Sequence, residues 1–249
     1  MKKSKSIILG SLILLCIGVI LFSLYNILLQ YHQYKTADDE YEQLSQIAHR
    51  NDDEEKSPDQ ESYISPIDFE ALWEINPDII GWIVVEGTSI DYPIVQGSDN
   101  EVYLSVTYTG VKNSSGAIFL DCRNSPDFTD WNSVIYGHKM KNGTMFANLS
   151  EYKSQSFYEA HPFFTIYTSD SEYQCEVFAA YVTPSVSEAY TLDFASVDTF
   201  TQYLEMATSS SLITAGLTPN ALDRIVTLST CDYTYDDARM VVHARMIAT

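Results

Sequence analysis

Three side chains in the C-terminal half could together support nucleophilic chemistry, each placed at the edge of an apolar run. Cys231 follows Arg224-Ile225-Val226-Thr227-Leu228-Ser229-Thr230 and precedes the polar stretch Asp232-Tyr233-Thr234-Tyr235-Asp236-Asp237. A thiol at a strand end beside a turn is both fixed and reachable. A nucleophilic cysteine needs that, together with a neighbour that favours its thiolate. The plainer alternative is a buried structural thiol. His138 follows a second apolar run, Val134-Ile135-Tyr136-Gly137, and opens the polar loop Lys139-Met140-Lys141-Asn142-Gly143. Gly137 permits a sharp turn that would swing the imidazole out of the strand. The alternative is an ordinary surface histidine. Arg239 comes eight positions after Cys231 and opens the run Met240-Val241-Val242. If the two flanking strands pair through the loop between them, its guanidinium lies near the thiol and could donate to a developing oxyanion. The alternative is a surface ion pair with Asp236 or Asp237. Arg245 competes, but lies about 20 Å further along the strand at roughly 3.3 Å per residue.

The remaining chemistry-bearing residues compete poorly. His32 and His49 lie in an acidic N-terminal segment, His161 precedes a proline at an expected helix end, and His243 alternates with Val242 inside an expected strand. Cys16 sits in an apolar N-terminal run, and Cys122, Cys175 and Cys231 are widely separated, with no C-x-x-C pair. A zinc site is therefore not expected, nor is any cofactor, and a full disulfide framework would leave one thiol over. The chain contains no Gly-x-Ser-x-Gly elbow, P-loop or His-Glu-x-x-His, so those enzyme classes have no motif support. A formal net charge of -20 over 249 residues makes nucleic acids and anionic lipid headgroups poor partners for most of the surface.

The elements that must position these residues begin near Pro66. Ile67 to Trp73 is amphipathic, and Asn76-Pro77 ends that helix. Eight short segments rich in β-branched and aromatic residues follow, separated by turn signals: Gly81 to Val85, Ile90 to Val95, Gly116 to Leu120, Ser133 to Tyr136, Phe163 to Tyr167, Tyr173 to Val182, Arg224 to Thr230 and Met240 to Ile247. They predict a mixed or antiparallel β-barrel. Helical interruptions are expected at Ala147 to Tyr152, Ser156 to His161 and Val197 to Thr208, the last capped by Ser196.

N-terminal to this domain, Ile7 to Leu29 is an uncharged apolar run preceded by Lys2, Lys3 and Lys5. Its length suits a bilayer crossing, and the lysines keep the leading end in the cytoplasm. A cleaved signal peptide would have a shorter apolar core and a small-residue exit, which Tyr25 to Tyr31 does not offer. Three regions are expected: a cytoplasmic tip and transmembrane anchor over 1–29, an acidic stalk over 30–65, and a catalytic domain over 66–249. Within the stalk, Tyr34 to His49 could be helical with Tyr34, Tyr41, Leu44 and Ile47 on one side, and Asn51 to Glu61 reads as a charge-extended spacer.

Taken jointly, these motifs resemble the sortase family, class B. Thr227-Leu228-Ser229-Thr230-Cys231 with Arg239 downstream looks like the family's TLxTC…R signature, and the TLSTC form is typical of class B. Val134-Ile135-Tyr136-Gly137-His138 is similar to its histidine segment. Asn76 to Trp82, Ile90 to Gln96, Gly116 to Asp121 and Met145 to Leu149 extend the likeness from roughly Ile67 to the C-terminus. The resemblance implies an eight-stranded sortase barrel with N-terminal helices, mainly β with helical additions, preceded by one transmembrane helix. It implies Cys231 as nucleophile, His138 as acid/base and Arg239 as oxyanion or substrate clamp. It further implies cleavage of an LPxTG- or NPxTN-like C-terminal sorting signal between Thr and the next residue. The acyl group would pass to an amine of the cell-wall peptide or of a pilin. A cysteine endopeptidase using water as acceptor would employ the same residues, and a membrane-tethered binding module would leave Cys231 structural.

Overall fold

β-Branched and aromatic runs between turn residues fold into eight strands, seen in a computed structural model that describes residues 2–50 and 63–249. They are β1 (Ile79–Val84), β2 (Asp91–Val95), β3 (Ile118–Leu120), β4 (Asn132–Tyr136), β5 (Phe163–Tyr167), β6 (Glu172–Pro184), β7 (Arg224–Cys231) and β8 (Ala238–Ala248). Each expected strand is present, with ends displaced by a few residues. The strands close into a barrel in the order β1-β2-β3-β4-β7-β8-β6-β5, which leaves no open sheet edge. Trp82, Ile94, Phe119, Ile135, Leu228 and Val242 belong to its fully or nearly fully buried core.

The order of the strands builds the site. β4 and β7 run parallel, from Asn132↔Ile225 to Tyr136↔Ser229, so both end at the same rim. β8 returns antiparallel to β7 from that rim, and its register places Cys231 opposite Arg239.

Three short helical elements match the sequence reading: α2 (Phe69–Ile75), a 3-10 turn at Ala147–Lys153 and α3 (Gln155–Ala160). A longer one, α4 (Val197–Ser210), begins at Ser196, whose side chain accepts from the Thr199 amide. It lays Phe200, Tyr203, Leu204 and Ala207 over Phe178, Tyr181, Ile225 and Val241 on the outer face of β6, β7 and β8. Covered on both faces, the middle stretches of these strands are buried almost continuously rather than in strict alternation, polar Thr227, Ser229, Thr230 and His243 included. His243 is sealed in this layer. The Thr227 hydroxyl donates to Asn132 Oδ1 at 2.7 Å, so His243 Nδ1 donates to Thr227 Oγ1 at 2.8 Å and Nε2 accepts from Tyr181 Oη at 3.1 Å. Burial pulls its pKa down to about 3, so it is a neutral hydrogen-bonded core residue.

The N-terminal segment keeps its expected apolar helix and departs from the expected form only in its acidic part. A single helix, α1, runs over Lys2–Ala48. Its apolar part is exposed from Leu12 to Leu29 and is long and apolar enough to cross a membrane. Its acidic part does not stand off as a spacer. Ala37, Tyr41, Leu44 and Ala48 form a buried stripe at helical spacing against the barrel. Of the expected stripe, Tyr41 and Leu44 are buried, Tyr34 is half-buried and Ile47 is exposed. Asn113 Nδ2 donates to the Gln33 carbonyl at 3.1 Å, and Ser45 Oγ donates to Asp91 Oδ2 at 3.1 Å. Asp39 and Glu42 face solvent, which is why the composition of this stretch suggests a solvated stalk. The expected extended spacer at Asn51 to Glu61 lies outside the described residues. Around that segment, the Arg50 amide donates to the Pro66 carbonyl at 2.9 Å and the Asp68 amide to the Ala48 carbonyl at 2.7 Å.

Candidate active site

The barrel rim where β4 and β7 end carries all three residues singled out from the sequence. His138 stands one residue past Gly137, and Gly137 has a different reason from the one expected. A Cβ there would approach Ile118 Cδ1 to 2.4 Å and Phe146 Cδ2 to 2.7 Å, so close packing, not a sharp turn, excludes a side chain. The Gly137 amide donates to the Ser229 carbonyl at 3.1 Å, continuing the pairing of β4 with β7 up to the histidine.

The His138 ring is oriented from behind. Its Nε2 lies 2.8 Å from the Leu104 carbonyl. A carbonyl can only accept, so Nε2 carries a proton and Nδ1 is the nitrogen left for proton transfer. Interaction with the Cys231 thiol raises the imidazole pKa above its ordinary value; burial opposes this, and the Leu104 carbonyl adds to it. The half-buried Cys231 shifts the other way. His138 lowers its pKa most, burial opposes, and the Arg239 charge assists. Both directions favour a thiolate beside an imidazolium.

Arg239 satisfies the expected proximity and also makes the alternative contact. It faces Cys231 across the β7–β8 ladder, while its Nη2 lies 3.2 Å from Asp237 Oδ1 and its Nη1 donates to the Ala238 carbonyl at 3.0 Å. Arg245 pairs with Ile225 at the far end of β7 and bonds Glu176 at 2.6 Å. The four cysteines are unpaired. Cys175 is buried in the barrel and Cys122 is half-buried.

Two features of the rim had no signal in the sequence. Tyr190, from the β6–β7 connection, stacks on Tyr136 with ring centroids 6.1 Å apart and shares a 2.9 Å hydrogen bond with Ser229. The other is Asp232, directly after the thiol, read from sequence only as a turn residue. It is buried, 2.7 Å from Lys153 Nζ and 3.6 Å from Lys139 Nζ. Lys139 follows His138, so this ion pair joins the residue after the imidazole to the residue after the thiol. Burial opposes ionisation of Asp232, but hydrogen bonds from Lys153 and Thr234 and the Lys153 charge hold its pKa down at about 2.

That shift makes a stability prediction. The folded carboxyl titrates below its unfolded value, so its contribution is complete above about pH 4 and disappears as pH falls through about 2. Asp232→Asn is expected to cost about 1.5–3 kcal/mol at pH 7, the range for a hydrogen bond to a charged group. Denaturant unfolding at pH 7, 3 and 2 should show the gap between parent and variant narrowing with acidity. A gap of constant size would refute the ion pair as its source.

A closed barrel that sets a thiol beside an imidazole and opposite a guanidinium is the build of a cysteine-dependent acyl-transfer enzyme. Comparison with known proteins narrows the class. The family described as "Sortase domain" matches residues 83–247. Sortase B of Listeria monocytogenes is 39% identical over 178 residues, covering 71% of this chain and 72% of that one. Sortase B of Staphylococcus aureus is 36% identical over 237 residues, 94% of each chain. A solved structure described as a Staphylococcus aureus sortase B–substrate complex superposes with a TM-score of 0.77 at 33% identity, covering 88% of this chain and 99% of that one. The chain belongs to the sortase family, class B. It is a sortase-type cysteine transpeptidase.

Proposed function

We propose that Cys231, His138 and Arg239 are the reacting constellation, and that the enzyme cleaves an LPxTG- or NPxTN-like C-terminal sorting signal of surface proteins between Thr and the following residue. The Cys231 thiolate attacks the Thr carbonyl carbon, forming a C–S bond and an oxyanion that Arg239 stabilises. Collapse breaks the C–N bond, and His138 Nδ1 supplies the proton that the departing amine needs. An amine of the peptidoglycan precursor or of a pilin then attacks the thioester. His138 takes its proton, a new amide forms and the thiolate leaves. The observation that carries this reading is the convergence of β4, β7 and β8, which sets Cys231 opposite Arg239 and at the same rim as His138.

In the same reading α1 anchors the enzyme in the cell membrane, with the lysine-flanked end cytoplasmic and the barrel outside. The catalytic unit spans 66–249, with the docked part of α1 packed on it.

The test incubates the full-length protein in detergent micelles with LPxTG- and NPxTN-type peptides, with and without a glycine-terminated peptide amine. Cleavage after Thr with a new amide product in the presence of the amine is expected. Hydrolysis alone under every condition would establish the endopeptidase alternative, and intact peptides throughout would overturn the proposal.

A further inference from the structure

Helix α1 reaches the histidine side of the site. Tyr41, buried on its docked face, donates from Oη to the Gly116 carbonyl at 2.8 Å. Gly116 has φ +58°, and a Cβ there would come within 3.0 Å of His138 Cδ2 and 2.6 Å of the Tyr103 carbonyl oxygen. Its backbone therefore lies directly against the imidazole, in a space and a conformation that suit glycine. The Ala117 amide donates to the Tyr103 carbonyl at 2.9 Å, and the adjacent Leu104 carbonyl holds His138 Nε2. Residues 103–104 and 116–117 thus form a cradle for the ring.

The helix grips this cradle at further points. Tyr108 Oη donates to the Glu40 carbonyl at 3.0 Å. The Tyr41 ring packs against Tyr92 and Tyr108 with centroids 5.2 Å and 5.1 Å away. Beyond the histidine, Asn142 Nδ2 donates to Asp38 Oδ2 at 3.0 Å. One helix therefore holds the loops that precede and follow His138, as well as the glycine beneath it.

We propose that the docked half of the anchor helix is part of the catalytic scaffold, with Tyr41 a positioning residue that sets the His138 imidazole against Cys231 through Gly116. The inference rests on Cys231 and His138 being the reacting pair and is independent of which peptide the enzyme takes. Its test therefore reads the thiol itself. Tyr41→Phe in the full-length protein removes one hydroxyl and keeps the ring. Arg239, Asp237 and Tyr190, the other groups whose ionisation bears on Cys231, are unchanged by it.

The measurement is the rate of iodoacetamide alkylation of Cys231 against pH, read on the Cys231 peptide by mass spectrometry, alongside the melting temperature. Loss of one hydrogen bond in the cradle is expected to slow alkylation at pH 7 roughly three- to tenfold and move its midpoint to higher pH. Ser45→Ala loosens the same helix through Asp91, away from Gly116, and should lower the melting temperature with the alkylation profile in place. Tyr108→Phe removes the bond to the Glu40 carbonyl and should slow alkylation as Tyr41→Phe does; it carries the test if Tyr41→Phe fails to fold. An unchanged profile in the folded Tyr variants overturns the proposal. So does an equal shift in Ser45→Ala, which would reduce the effect to general stability.

Discussion

Cys231→Ala is expected to lower turnover of a sorting peptide by on the order of 10⁴-fold or more, the scale on which a hydrolase that loses its nucleophile fails. The fold should survive, because the change removes one half-buried sulfur at a strand end, and a typical point substitution costs about 1 kcal/mol. Cys122→Ala and Cys175→Ala should retain activity. Cys175 is fully buried in the barrel, and burial drives its thiol pKa far up. The amide of Cys122 is held by Asn100 at 2.8 Å, in the loop after β3. The ionisation of the pair gives an independent arm. His138 is the largest influence lowering the Cys231 pKa, while burial raises it. His138→Ala removes the first and keeps the second, so the pH midpoint for iodoacetamide alkylation of Cys231 should move upward. A Cys231→Ala enzyme that turns over peptide at the parental rate would exclude covalent catalysis by this thiol. An unmoved alkylation midpoint in His138→Ala would mean that the imidazole does not govern it.

The parts of this molecule that were legible in the sequence are those set by local pattern. Strand runs such as Phe163–Tyr167 and Arg224–Cys231 combine β-branched and aromatic residues between turn signals, and each became a strand. Ser196 announced α4 because an N-cap is a local device. A short antiparallel connection puts Arg239 opposite Cys231, a placement that residue spacing alone predicts. His138 was harder, because its proximity depends on the parallel pairing of β4 with β7, strands about ninety positions apart in sequence, and only the family resemblance linked them. What remained hidden was non-local. Nothing near Asp232 signals that Lys139 and Lys153 will converge on it. The docked stripe of α1 was half concealed because two of its members, Ala37 and Ala48, carry little hydrophobicity of their own. Their small side chains let the helix lie close to the barrel, while the exposed Asp39 and Glu42 dominate the composition.

Arg239→Lys is expected to behave almost as badly as Arg239→Ala, with turnover reduced on the order of 10²–10³-fold, the cost of losing an oxyanion donor in a well-studied protease. At rest the guanidinium reaches Asp237 with one terminal nitrogen and the Ala238 carbonyl with the other. A planar fork with five N–H donors can keep such contacts and still present donors towards an oxyanion and a substrate carbonyl. Lysine carries a single point charge on a flexible stem. It can restore the pair with Asp237 but not the fork. If that ion pair were the whole role of Arg239, the substitutions would act mainly on stability, and only by about 0–1 kcal/mol, since Asp237 is largely exposed. Arg245→Ala separates the two strand positions. Its partner Glu176 sits at the opposite end of the ladder, so it should lower the melting temperature slightly and leave turnover within about twofold. Turnover and melting temperature for the three variants decide the matter. High turnover in Arg239→Lys removes the bidentate role. A dead Arg245→Ala beside an active Arg239→Ala would move the clamp to Arg245 and break the link between the β7–β8 register and the chemistry.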